Sequence, residues 1–329
     1  MPDRWRTSET SGPPERVVTT GDPARPEGTA QTGYLHPGYA RSLDEFGAPR
    51  ELPHSGSWIL EQAIPGSCYR DARGCYPLFC CVDWSELALD MAQLPDDLVT
   101  LSLVTDPFGD YDERRLRSWF PDLVLPYKQH FVVDLSRRPG SYVTAHHLRN
   151  VRKGLRNVHV STCEQPAAFV DDWIRLYSAL IERHRITGLA AFSPSACAHQ
   201  LRVPGIVAFR AAAGEATVGM LLWYVQGRVA YYHLGAYSTL GYELRASFAL
   251  FWTAIEYFGA AGLQWLDLGG SAGLQDVADA GLARFKQGWA TGTRTAYLCG
   301  RVFNQTRYAA LVAATGAGTT SFFPAYRAG

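Results

Sequence analysis

The sequence predicts a mixed α/β (α+β) chain built as two tandem half-domains, with mixed, mostly antiparallel sheets flanked by helices. Three observations carry that prediction. Gly205 to Ala211, Thr217 to Gln226 and Arg228 to Ala236 read as three strands, joined by Ala213-Gly214 and Gln226-Gly227 turns as in antiparallel hairpins. An apolar helix from about Glu243 to Gly259 follows, then a further buried strand at Leu263 to Leu268. Finally, the strand, turn, helix order of Val99 to Phe120 mirrors that of Val229 to Phe258, as a duplicated domain would, although no exact repeat relates the halves.

The elements follow in chain order. Met1 to Gly33 sets Pro2, Pro13, Pro14, Pro23 and Pro26 among Ser, Thr and Gly, a composition that cannot offset ordering entropy by burial, and is expected to be a disordered tail. Trp58 to Ile64 and Tyr76 to Cys81 read as strands and Trp84 to Leu94 as a helix. Val99 to Val104 reads as a buried strand ended by the turn Asp106-Pro107-Phe108-Gly109, Tyr111 to Phe120 as a helix, and Leu123 to Leu135 as a returning strand. Ser141 to Arg156 is expected to be a helix joining the halves. In the second half Phe169 to His184 is helical, with Trp173, Leu176, Tyr177 and Leu180 periodic, and Ser193 caps a helix running to Leu201. After the hairpins, the loop 237–242, the apolar helix and its strand come a Gly-rich loop, a short helix near Asp279 to Gly288, a strand at Arg294 to Val302 and a helix at Gln305 to Ala314. The domains expected are therefore the tail 1–33, a first half-domain 34–140 and a second at 141–329.

Composition narrows the class of protein. A length of 329 residues favours two domains or one large one, and 47% apolar with 19% charged residues is ample for a buried core. Lys plus Arg and Asp plus Glu both number 31, so no global field draws in DNA or an anionic membrane, and any nucleic-acid contact has to be local. The apolar stretch from Ala246 to Ala261 contains Glu256 and falls short of the ~20 residues of a membrane span, and the N-terminal thirty residues show no signal peptide. A cytoplasmic location is expected. The seven cysteines are odd in number and irregularly spaced, which fits reduced, packed thiols; no CxxC pairs support a zinc site, so no metal is expected.

Several motifs are candidates for chemistry. On the joining helix Leu148, Val151 and Leu155 share one face, while Arg149, Arg152, Lys153 and Arg156 form a row of four cations on another, with no Asp or Glu from Tyr142 to Thr162. Such a row is either a solvated face or a grip on phosphates or an acidic acceptor. Leu266-Asp267-Leu268-Gly269-Gly270-Ser271-Ala272-Gly273 resembles the glycine loop of Rossmann-like methyltransferases, but a doubly wound sheet needs most of its strands after that loop and only 56 residues follow Gly273. Asp267, at the strand end, is an orienting carboxylate or a base, and His233 is a general-base candidate because His titrates near neutrality; a satisfied core histidine is the competing reading. Alternation puts Tyr231, His233 and Gly235 on one face and Tyr232, Leu234 and Ala236 on the other. His36-Pro37-Gly38-Tyr39 and the 106–111 segment read as loops that either line an acceptor cleft or are simply turns.

From Arg149 to Trp289 the sequence resembles the Fem-type aminoacyltransferases and related acetyltransferases of the GNAT superfamily. The matching blocks are HHLRNVRKGLR (146–156), the hairpin strands 205–238, GYELRASFALFW (241–252), LDLGG (266–270) and, most specifically, RFKQGW (284–289). The resemblance implies two tandem GNAT-like half-domains. It also implies direct attack of an amine on an activated carbonyl with no covalent enzyme intermediate, so that positioning and oxyanion stabilisation carry catalysis. On that analogy Lys286 places positive charge beside the tetrahedral intermediate or donor phosphate and Phe285 orients it, the competing reading being a surface Lys paired with Asp276 or Asp279. His233 or Asp267 would be the base. The donor would sit at Gly241, Tyr242, Leu244, Arg245, Ala246 and Ser247, and the substrate would meet Arg149, Arg152, Lys153, Tyr237 and Trp289.

The usual Gln/Arg-x-x-Gly-x-Gly/Ala loop of acetyl-CoA binders keeps one glycine here, Gly241, with Arg245 nearby to neutralise phosphate. The expected activity is transfer of an acyl group, from acyl-CoA, to an amine of a small metabolite or cell-envelope precursor, with no tightly bound cofactor. The alternatives are aminoacyl-tRNA as donor, forming a peptide bond with tRNA as a further partner, and a non-catalytic binding module whose donor site has eroded.

Overall fold

The computed structural model describes residues 31–270, 280–317, 320 and 322–328. The expected tail up to residue 30 and the Gly-rich loop 271–279 lie outside the described residues. Residues 31–33, expected as the end of the tail, are tied down: Thr32 Oγ1 donates to the Val225 carbonyl at 2.7 Å and the Gly33 amide to Pro204 at 2.8 Å.

In chain order the elements of the first half are α1 (Pro37–Arg41), β1 (Ala48–Leu52), β2 (Ser57–Ala63), β3 (Arg70–Gly74), α2 (Leu87–Ala92), β4 (Leu98–Val104), α3 (Glu113–Trp119) and β5 (Leu123–Asp134). The second half holds α4 (Ala145–Asn157), β6 (His159–Cys163), α5 (Val170–His184), α6 (Pro194–Gln200), β7 (Ile206–Ala213), β8 (Ala216–Gln226), β9 (Val229–Tyr237), α7 (Thr239–Glu243), α8 (Ala246–Ala260), β10 (Trp265–Asp267), α9 (Ala280–Gln287), β11 (Gly292–Val302) and α10 (Gln305–Thr315).

The eleven strands found among the described residues form one sheet in the order β1-β2-β3-β4-β11-β5-β10-β9-β8-β7-β6. Two pairs of neighbouring strands are parallel, β3 with β4 across α2 and β9 with β10 across α7 and α8; the other neighbours are antiparallel. Each half therefore runs through antiparallel strands, a helical crossover, a parallel strand, a helix and a last strand. The last strands are exchanged. β5 pairs with β10 of the second half, β11 pairs with β4 of the first, and the two meet at the centre, with Arg294 opposite His130. The duplication read from the sequence is present in this topology with a different correspondence: β4 matches β10, the strand after the crossover, and not β9.

Around β7–β9 one face packs against Trp173, Leu176 and Tyr177 of α5 and Cys197 of α6, and the other against the α8 side chains Leu250, Phe251, Ile255 and Phe258. This explains why α8 is apolar nearly all round: the sheet takes one side of it and α4 another, and its exposed residues, Glu256, Tyr257, Gly259 and Ala260, lie near its C-terminal end. In the first half Leu87 and Met91 of α2 and Leu116 of α3 cover one face, and Tyr326 with Leu311 and Val312 of α10 packs on the other against Ile64 and Val99. No helix among the described residues is long and apolar enough to cross a membrane.

Two expectations are corrected, and two edge strands are added. Tyr76 to Cys81 makes only an isolated bridge, Phe79 to Thr105, and the strand lies earlier, at β3. The sequence of β3, RDARG, hides that role because its polar side chains find partners: Asp71 pairs with Arg327, and Arg70 with Glu61 and Asp97. The two outermost strands, β1 and β6, are polar and short, as edges usually are, and carry no hydropathy signal. His36 to Tyr39 is not a loop, since His36 Nδ1 accepts from the Gly38 amide at 2.9 Å and caps α1, burying Tyr39.

Candidate functional site

The carboxyl end of β10 gathers the candidate chemistry. Leu266 and Leu268 turn toward the α8 core, so alternation sends Asp267 to the opposite face. There it is 1% exposed and meets His130 of β5, 5% exposed, with His130 Nδ1 at 2.8 and 3.0 Å from the two carboxylate oxygens. Asp267 Oδ1 also accepts from the Gly269 amide at 2.7 Å. An ionised carboxylate only accepts, so pairing with one requires the proton on Nδ1.

Lys286 reaches the same place from α9. It is 5% exposed, its Nζ donates to the Gly270 carbonyl at 2.6 Å and lies 5.6 Å from the centre of the Tyr232 ring. Gly269 and Gly270 couple the two groups. A side chain on Gly269 would start 3.2 Å from Lys286 Nζ, and one on Gly270 would start 3.4 Å from His130 Cδ2 and 3.0 Å from Lys128 Cβ. An ammonium held out of water is costly to keep, so its placement is a constraint on the site and not a by-product of packing. Its anchor is its neighbour Phe285, whose ring sits against His147, Phe248 and Phe251 and whose carbonyl accepts from His147 Nε2 at 2.9 Å. Phe285 thus fixes the backbone from which the Lys286 side chain starts. Asp276 and Asp279 lie outside the described residues.

A second buried carboxylate stands nearby, in the 106–111 segment. Asp106 accepts from the Phe108 amide and from Tyr231 Oη, both at 2.9 Å, and burial nonetheless pushes its carboxyl up to about 6. Tyr231 is the register partner of Asp267, so β9 links the two acids.

His233 does not fit the base role given to it. Its Nδ1 bonds Tyr34 Oη at 3.2 Å, its Nε2 bonds Gln200 Oε1 at 3.1 Å, and burial pushes the imidazole down to about 3, so it stays a neutral core group and a weak proton acceptor. The pairing of β8 and β9 also shifts at this point, Trp223 facing Tyr232 and Leu222 facing Leu234, so that strict alternation fails. Gly235 consequently faces Tyr232 Oη and Tyr237 Oη, away from His233.

The donor segment 241–247 spans the α7–α8 junction. Ser238 caps α7 through the Gly241 amide at 3.1 Å, and Arg245 adopts a left-handed φ of 65° before α8 starts. Gly241 is required by packing, since a Cβ there would sit 2.1 Å from the Val218 carbonyl oxygen. Ala246 is fully buried, Tyr242, Leu244 and Ser247 are half-buried, and Arg245 is exposed. Of the expected donor residues, Gly241 and Ala246 therefore serve the scaffold. Arg149, Arg152, Lys153 and Arg156 are exposed on α4, whose Gly154 packs against the Arg245 carbonyl, so the cationic row borders the start of α8. Trp289, expected to meet substrate, is fully buried and stacks on Phe251 at 5.9 Å; it is core. Tyr237 is buried beside Tyr242, and its Oη has no hydrogen-bond partner among the described residues.

Sequence reasoning missed His130. It lies 137 residues from Asp267 and meets it only because β5 is exchanged into the other half. The described residues contain no cluster of three or more His, Cys, Asp or Glu placed to hold a metal.

Residues 143–287 match the family model of the acetyltransferase (GNAT) domain. Among solved structures, the chain is similar to FemX, with TM-score 0.63 and 14% identity, covering 87% of this chain and 95% of that one. It is similar also to the C-terminal domain of a putative lysylphosphatidylglycerol synthetase from Agrobacterium fabrum, with TM-score 0.60, 14% identity and 84% and 89% covered. L-PGS from Bacillus licheniformis gives TM-score 0.55 and 12% identity over 87% and 98%. No curated protein matches the chain. At these identities the structural likeness is one of fold. The domain match falls on residues 143–287, the span that holds the motifs, and supports a transferase.

Proposed function

We propose that the protein is an N-acyltransferase that passes an acyl group from a phosphate-bearing activated donor to an amine of a small metabolite or cell-envelope precursor by direct attack. The observation that supports this reading most is the buried ammonium of Lys286, held at the Gly270 carbonyl beside the His130–Asp267 pair. A fixed positive charge of this kind stabilises an oxyanion as it develops without having to reorganise. The donor is read as acyl-CoA lying along the α7–α8 junction with Arg245 at its phosphates, and the acceptor as entering between residues 34–140 and 141–329. The test is release of free thiol from a panel of acyl-CoAs in the presence of amines, comparing wild type with Lys286→Ala. Turnover in the wild type and its loss in a folded variant is the expected result; full activity in the variant would strip Lys286 of this role.

A second donor is favoured by one observation. The exposed cationic row of α4 beside the start of α8 suits a longer polyanion, and aminoacyl-tRNA would then supply the acyl group. Transfer of a labelled amino acid from charged tRNA, with no thiol release from any acyl-CoA, would select that donor.

A further inference from the structure

We propose that His130 is the proton acceptor of the acyl-transfer step, with Asp267 the positioning residue behind it; this rests on the acyl-transfer reading above. Three histidines are buried among the described residues: His130, His147 and His233. His147 has both ring nitrogens engaged, Nδ1 with Thr144 Oγ1 and Nε2 with the Phe285 carbonyl, and His233 is occupied at both by Tyr34 and Gln200. His130 differs. Its Nδ1 is held by Asp267, and its Nε2 makes no hydrogen bond among the described residues. A carboxylate that takes Nδ1–H leaves Nε2 with its lone pair exposed for a proton, the arrangement an imidazole base requires.

The surroundings place that nitrogen at the reaction centre and not in a remote core. His130 borders Gly270, the residue whose carbonyl holds Lys286, and stands on the central strand pair where the two halves meet. The titratable and charged groups around it are Asp267 on β10, Lys128 two residues before it on β5, Lys286 on α9, Arg294 opposite it on β11, and the linked Asp106 and Tyr231 beyond Asp267. The Arg294 guanidinium is drawn aside between the rings of Phe108 and Trp265, at 4.4 and 4.9 Å.

In the step, the amine nitrogen forms a bond to the acyl carbon as its N–H proton moves to His130 Nε2. The carbon–sulfur or carbon–oxygen bond to the donor breaks with its electron pair leaving on that atom, and the imidazolium returns the proton to it. Amide and protonated leaving group are the products, and the imidazole ends as it began.

The experiment pairs His130→Gln and Asp267→Asn in the full-length chain with two readouts. Nitrogen-15 spectra of the unliganded wild type above neutral pH should show the His130 imidazole as the Nδ1–H tautomer with a bare Nε2. Glutamine keeps a donor toward Asp267 but is not a base, so His130→Gln should lower kcat by about 10²-fold to 10⁴-fold with KM and melting temperature close to wild type, and abolish the acid limb of the kcat profile. Asp267→Asn should lower kcat and shift the tautomer population. An Nε2–H tautomer, or transfer by His130→Gln within threefold of an active wild type, overturns this proposal alone. A wild type that transfers from neither acyl-CoA nor aminoacyl-tRNA overturns the underlying reading and this proposal with it.

Discussion

The two halves make the same turn at the ends of their matching strands and use it differently. After β4, Asp106 Oδ1 accepts from the Phe108 amide at 2.9 Å; after β10, Asp267 Oδ1 accepts from the Gly269 amide at 2.7 Å. The partners diverge beyond that. Asp106 takes a tyrosine hydroxyl, from Tyr231, and burial raises its carboxyl. Asp267 takes the imidazole of His130, and a buried lysine follows it on α9, where the matching helix α3 presents Leu116 to the core. The two halves share a scaffold of strand, turn and helix. They differ in which side chains the neighbouring strands bring to the aspartate.

The largest effect expected from this difference concerns Lys286. Lys286→Met should leave the fold intact, because a flexible apolar chain of similar length replaces a buried cation, while kcat falls about 10²-fold to 10³-fold. Steady-state kinetics beside thermal unfolding check this. Undiminished turnover would mean that the second half is no more catalytic than the first, and the contrast would collapse.

Next comes the pH dependence of stability at Asp106. Its carboxyl is raised from 3.8 to about 6 in the folded state, so the native protein binds this proton more tightly than the unfolded chain does. Stability therefore falls as pH rises from about 4 to about 6, by about 3 kcal/mol, and stays lower above that. His233, lowered from 6.5 to about 3, acts in the opposite sense and removes stability as pH falls through that range. The Asp106 contribution is thus read as a difference: urea unfolding of wild type and Asp106→Asn should give profiles that separate between pH 4 and 6. Parallel profiles would show that Asp106 titrates normally and that the two aspartates are less distinct than their burial implies.

A smaller effect separates scaffold from ligand contact at the donor segment. Gly241→Ala would set a methyl group 2.1 Å from the Val218 carbonyl oxygen, and the backbone would have to move. Destabilisation of about 1–3 kcal/mol is expected by chemical denaturation, with donor affinity changed only as far as α7 shifts. Unchanged stability together with weakened donor binding would return Gly241 to the phosphate-wrapping role that its position in the motif suggested.

What was legible in the sequence follows from how locally each feature is determined. The hairpins β7–β9, the cap at Ser193 and the apolar helix α8 depend on neighbours in the chain, and turn residues and periodicity announce them. Lys286 and Asp267 were visible as a spaced motif. His130 was not, because its partner comes from an exchanged strand, and β3 was not, because ion pairs with Glu61, Asp97 and Arg327 offset its polarity. Trp289 shows the converse error. It sits in a diagnostic block, but nearness in sequence to a candidate lysine says nothing about which way an aromatic ring points, and this one points into the core.

The smallest expected effect on the fold, and the sharpest test of donor class, lies in the two arginine-rich helices. On α3, Arg117 pairs with Glu113 at 2.6 Å, one turn earlier, so that helix mixes signs on its exposed surface. On α4, Arg149, Arg152, Lys153 and Arg156 are exposed in a stretch without acids, and the helix packs against the residue that precedes α8. Replacing Arg152 and Lys153 by Ala should change folding stability by no more than about 0.5 kcal/mol per site, as should Arg114 and Arg115 to Ala on α3. Donor affinity should distinguish them. If the α4 row holds a polyanion, its double variant lowers the slope of log K against log salt for tRNA by roughly 0.7 to 0.9 for each phosphate that the row ceases to neutralise, and the α3 variant does not. Equal slopes in both variants would reduce the row to a solvated face and leave Arg245 as the cation at the donor segment.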